Sequence, residues 1–92
     1  MNRFLIEVEH EGSKESCDRA LSMFLKTGSH FMTNADWGCG DDVHKAWIVA
    51  DLDTKEEALR IVPPPYRDKT TITRLEKFSL ANFKEKLPHR EE

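Results

Sequence analysis

Residues 3 to 10, RFLIEVEH, alternate strictly: Phe4, Ile6 and Val8 fall on one side, Arg3, Leu5, Glu7 and Glu9 on the other. A period of two belongs to a half-buried strand, because successive side chains of a strand point to opposite faces. The period changes after Gly12 and Ser13. Cys17, Ala20, Leu21, Phe24 and Leu25 recur three and four residues apart, and Gly28 follows where helices commonly end in a left-handed residue. This spacing predicts an amphipathic helix over residues 14 to 27.

Residues 29 to 37 and 43 to 52 read as two strands around a turn from Gly38 to Asp42, the second carrying the β-favouring run Ala46, Trp47, Ile48, Val49. Thr54 with Glu57 three positions later is a capping signature for a short second helix. The prolines at 63 to 65 must end that helix, since proline lacks the N–H that would continue the ladder. Residues 69 to 78, KTTITRLEKF, make a fourth, β-branched strand. Leu80, Phe83 and Leu87 behind a Ser79 cap then predict a short C-terminal helix, and 88 to 92 is expected to be a loose tail.

The order β, α, β, β, α, β over residues 1 to 87 is the split βαβ pattern of a ferredoxin-like α+β sandwich, a four-stranded antiparallel sheet with two helices on one face. The crossover rule puts the first and third strands in the centre. Helices on one side leave the other face of the sheet to be covered or wetted.

Composition narrows the class. The 92 residues are 38% hydrophobic and 34% charged, enough apolar material for one domain and its single core but not for two. The net charge is −3, with Lys and Arg scattered, so the basic footprint of a nucleic-acid or acidic-membrane binder is missing. No apolar run reaches the ~20 residues of a membrane span. The N-terminus opens into a strand pattern rather than a signal-peptide pattern, and a cytoplasmic location with both cysteines reduced is the expectation.

The densest chemistry lies in HFMTNADWGCGDDVHKAWIVADL, residues 30 to 52. If Trp37 pairs with Val43, then Asp36 faces His44, Met32 faces Ile48 and His30 faces Ala50, because cross-strand partners share a face. One side of the hairpin then carries His30, Met32, Asn34, Asp36 and His44. The other carries Phe31, Ala35, Trp37, Val43, Trp47 and Val49 and would cover the helices. His30, Asp36, Cys39 and His44 are the nitrogen, oxygen and sulfur donors that bind zinc, nickel or copper, although their spacing matches no CxxC or HExxH pattern. A plainer reading makes Asp36 and His44 a cross-strand ion pair and Cys39 a small turn residue. Trp37 and Trp47 are core candidates on size alone. With Tyr66 and Arg67 beside the triple proline they are also candidates for a ligand pocket.

From residue 3 to 78 the layout resembles the dimeric α+β barrel superfamily of ferredoxin-like proteins. The stretch GSHFMTNADWGCGDDVHKAWIVADLDTKEEALRIVPPPYRDKTTITRLEKF is similar to uncharacterised bacterial proteins of this size, with a layout related to a nickel-binding ferredoxin-like family. The resemblance implies that two sheets stack face to face in a homodimer, with a ligand pocket at the interface. It also implies a metal-binding histidine on the second strand, for which His30 or His44 is the nearest counterpart. Three functions follow as expectations: a small dimeric module holding nickel, zinc or a small ligand near the hairpin, a cofactor-independent isomerase or monooxygenase with a histidine base, or a structural or regulatory dimer without ligand.

Overall fold

A computed structural model describes residues 1 to 81. Strand β1 spans Asn2–Glu9, helix α1 Lys14–Lys26, helix α2 His30–Thr33, strand β2 Asp36–Trp37, strand β3 Lys45–Leu52, helix α3 Lys55–Ile61 and strand β4 Thr70–Leu75. Two 3-10 segments, Cys39–Asp41 and Pro64–Lys69, join β2 to β3 and α3 to β4. The architecture is α+β. One antiparallel sheet runs in the order β2-β3-β1-β4, with Ile6 of β1 opposite both Ile48 of β3 and Ile72 of β4.

The alternation of β1 decides the core. Phe4, Ile6 and Val8 share a face with Ala46, Ile48 and Ala50 through the β1–β3 register. All six are buried there with Phe24, Met32, Ala58 and Val62 from the helices and the segment that follows α3. Ser13 caps α1 by accepting from the Ser16 N–H, and Gly28 beyond its end has φ 71°, the left-handed geometry that a side chain resists. At α3 the Thr54 hydroxyl accepts from the Glu57 N–H, while the Glu57 carboxylate accepts from the Asp53 N–H at 2.9 Å. The helix stops before the prolines, as their chemistry requires. Pro64–Lys69 then winds into a 3-10 segment that lets Arg67 reach back, its Nε donating to the Val62 carbonyl at 2.8 Å and its Nη2 to the Arg60 carbonyl at 3.0 Å.

The hairpin differs from its sequence pattern. Residues 30 to 33 are helical rather than extended, because Ser29 Oγ accepts from the N–H groups of Phe31 and Met32 and the Asn34 amide donates to the His30 carbonyl at 2.7 Å. Such local side-chain bonds compete with a sheet ladder. Only Asp36 and Trp37 remain in the strand. They pair with Trp47 and Ala46, not with His44 and Val43, since the 3-10 turn and a left-handed Asp42 (φ 61°) take up the intervening chain.

The faces of β3 are consequently exchanged. Ala46, Ile48 and Ala50 lie under the helices, whereas Trp47 and Val49 lie on the opposite face beside Leu5 and Glu7, with Trp47 Nε1 donating to Glu7 Oε1 at 3.3 Å. Strand β4 is shorter at both ends than the expected 69 to 78. The expected C-terminal helix rests on Phe83 and Leu87, which with the tail lie outside the described residues.

Phe24 is 1% exposed and meets Trp37 edge-on at 4.9 Å between ring centroids and Tyr66 at 6.0 Å. Phe24→Ala is expected to cost about 3–5 kcal/mol through lost burial and the cavity left behind, read as a fall in the urea midpoint at unchanged slope.

Candidate metal centre

β1 ends at Glu9, and His10 continues the inward phase of Phe4, Ile6 and Val8, so its imidazole falls on the helix side of the sheet. Its backbone N–H donates to the His44 carbonyl at 3.1 Å, which carries the β1–β3 pairing one step past the strands. Helix α1 begins four residues later and presents buried Cys17 from its first turn toward the same point. The 3-10 turn supplies Cys39 as its first residue, and His44, immediately before β3, shares the inward phase of Ala46.

The four side chains converge. Ligand atoms of His10, Cys17, Cys39 and His44 all lie within 4.8 Å of one another. His10 Nε2 is 3.1 Å from each sulfur, the Cys17 and Cys39 sulfurs are 2.7 Å apart, and His44 Nδ1 is 3.5 Å from the Cys17 sulfur. Both cysteines are free. Zinc at about 2.3 Å from sulfur and about 2.0–2.1 Å from nitrogen holds neighbouring donors about 3.3–3.8 Å apart in a tetrahedron. The two sulfurs, 2.7 Å apart, would have to part by about 1.1 Å to admit an ion, within a donor set that spans up to 4.8 Å.

The surroundings prepare the donors. His44 Nε2 bonds Asp42 Oδ1 at 2.9 Å, which fixes the ring and leaves Nδ1 as the acceptor aimed inward, the usual outer support of a metal-ligating histidine. Asp42 holds this position at positive φ, which aspartate tolerates better than most residues. Gly12 lies against the His44 ring, where a Cβ would come within 3.1 Å of Cδ2. Gly38 is required more strictly, since a Cβ there would meet the Val43 carbonyl at 2.7 Å and the Trp47 ring at 2.9 Å. Trp37 packs on His10 at 5.8 Å between ring centroids and screens the inner side of the cluster.

Burial, reinforced by the neighbouring His44, lowers the His10 pKa and keeps that imidazole in the neutral form a metal requires. Burial, then the hydrogen bond with Cys17, pushes the Cys39 thiol up to about 11, so binding must displace a proton from it.

Two of the four expected donors, Cys39 and His44, belong to the cluster. His30 does not; it is exposed on α2, with Nδ1 3.3 Å from the Asn34 amide nitrogen. Asp36 is exposed on β2 opposite Trp47. The cluster also lies on the helix side of the sheet, not on its bare face. The expected pocket residues are dispersed: Trp37 and Tyr66 pack on Phe24, Trp47 is on the other face, and the Arg67 guanidinium is engaged by carbonyls at the end of α3. His10 and Cys17 were not anticipated. Their signal was phase, because His10 extends the buried side of β1 and Cys17 lies on the apolar side of α1.

Fold and cluster together define a small α+β protein with a two-cysteine, two-histidine donor set. Comparisons with family models, curated proteins and solved structures give no match. Among the described residues, no helix is long and apolar enough to cross a membrane.

The raised thiol has a measurable consequence. Folded Cys39 keeps its proton to a higher pH than the unfolded chain, so its contribution to stability is complete below the ordinary value of 9.0 and is lost as pH rises toward about 11. Metal-free protein is expected to lose stability across that window in denaturant titrations, and Cys39→Ser to lose less.

Proposed function

We propose that this protein is a metal-binding module whose ion, zinc in preference to nickel, is held by His10, Cys17, Cys39 and His44. The observation that carries the reading is the convergence of four donor atoms from three separate segments within 4.8 Å. Zinc suits the set because two thiolates and two imidazoles match its tetrahedral sites, whereas nickel(II) favours square-planar nitrogen and oxygen donors. Four protein donors fill the tetrahedron and leave no position for substrate, which favours holding an ion over catalysis at it. The ion would tie the end of β1, the first turn of α1 and the start of β3 together.

One zinc per chain is expected by titration, with a rise in Tm that grows with free zinc. Cys17→Ser and His10→Ala should each weaken binding by more than about a hundredfold, and Asp42→Asn by about 10–100-fold. His30→Ala and Asp36→Ala should bind as the parent does. Unchanged zinc affinity in Cys17→Ser would remove the reading.

We also infer a ferredoxin-like arrangement, supported by β1 and β3 in the centre of the sheet, and a homodimer formed through the face opposite the helices. That face presents Trp47, Leu5 and Val49, the last 58% exposed. The Arg3–Asp51 and Lys45–Glu7 ion pairs flank this apolar strip, an apolar centre with a charged rim. Sedimentation at micromolar concentration should give twice the chain mass, and Val49→Lys should give the single chain.

A further inference from the structure

Cys17 and Cys39 supply half of the donor set and are also each other's nearest reactive partner. Their sulfurs are 2.7 Å apart, and a disulfide at about 2.05 Å requires only a further approach of about 0.7 Å. The open side of the turn is at Gly40, next to Cys39, where a Cβ would meet nothing within 4 Å, so the approach meets no packed neighbour there. The two thiols differ in access. Cys17 is 7% exposed, whereas Cys39 is only half-buried on the 3-10 turn, so a small oxidant reaches Cys39 first.

We propose that Cys17 and Cys39 form a dithiol–disulfide couple that a peroxide oxidises, releasing the bound ion; the release rests on the zinc reading above. The Cys39 sulfur attacks one peroxide oxygen and gives up its proton, the O–O bond breaks, the departing hydroxide takes up a proton and leaves as water, and Cys39 becomes a sulfenic acid. The Cys17 sulfur then attacks the Cys39 sulfur, the S–O bond breaks, and a second water leaves. The two thiols lose two protons and two electrons in all, and one peroxide takes them up to become two waters. Sulfurs joined in a disulfide are no longer anionic donors, and the two imidazoles left are too few to hold zinc. The new bond ties α1 to the turn across 22 positions of sequence, as the ion did, so the metal leaves a chain that remains folded.

The test treats zinc-loaded and metal-free reduced protein in parallel with one equivalent of hydrogen peroxide. Intact mass, peptide mapping without reduction, and a chromophoric zinc chelator are the readouts. Both samples are expected to lose two hydrogens and yield one peptide pair joined through Cys17 and Cys39. The loaded sample should release its zinc with unchanged far-ultraviolet dichroism, and a thiol reductant should restore binding. Cys17→Ser should stop at a dimedone-trappable sulfenic acid on Cys39. Unlinked peptides, sulfinic acid on Cys39 or a bond between two chains would overturn the couple. Failure of the reduced protein to take up zinc would instead overturn the metal reading, while the mass and mapping of the metal-free sample still decide whether the couple exists.

Discussion

The hydrogen bond from the His10 N–H to the His44 carbonyl joins the end of β1 to the approach to β3, and the rest of the site depends on that junction. It extends the β1–β3 register by one pair, and register in a one-sided sheet decides which residues meet the core. His10 and His44 thereby both project to the helix side. The same junction places Gly12 against the His44 ring and starts α1 at the height where Cys17 meets them. A slip of β3 by one residue against β1 would turn the His44 imidazole to the other face and leave the two cysteines with His10 as their single nitrogen partner.

Much of the fold was legible because local and periodic signals agreed. The alternation of β1, the helical spacing and glycine stop of α1, and the threonine and glutamate at α3 each name an element that the structure contains. The hairpin was less legible for two physical reasons. Both phases of residues 43 to 50 are apolar, with Val43, Trp47 and Val49 against Ala46, Ile48 and Ala50, so hydrophobicity did not decide which faces inward. Size decided it: alanines allow close approach of the helices, and Trp47 is accommodated outside, against Gly38 and Glu7. In residues 29 to 34, serine and asparagine bonds to nearby backbone overrode the extended pattern.

The candidate site was half legible. A dense run of polar side chains drew attention to residues 30 to 52, and two donors lie there. The other two sit at isolated positions on β1's extension and α1, where no short spacing links them to the run. Donors delivered by separate elements leave no compact motif, and buried phase was the only trace of His10 and Cys17. Their burial is also what prepares them. Desolvation keeps His10 neutral and Cys39 protonated, a resting state without uncompensated charge beside a small core.

The brevity of β2 has a consequence away from the cluster. With only Asp36 and Trp37 paired to β3, the outer rim of β3 from Ile48 onward is left to α2 and the residue that caps it: His30, Phe31 and Asn34 line a hollow with Ile48, Val49, Ala50 and Asp51. A bare rim of unpaired amides is the usual starting point for runaway strand addition between molecules. The helical turn stands where a longer second strand would have offered a fresh ladder, and so acts as a stopper that keeps neighbouring chains from zipping onto the sheet.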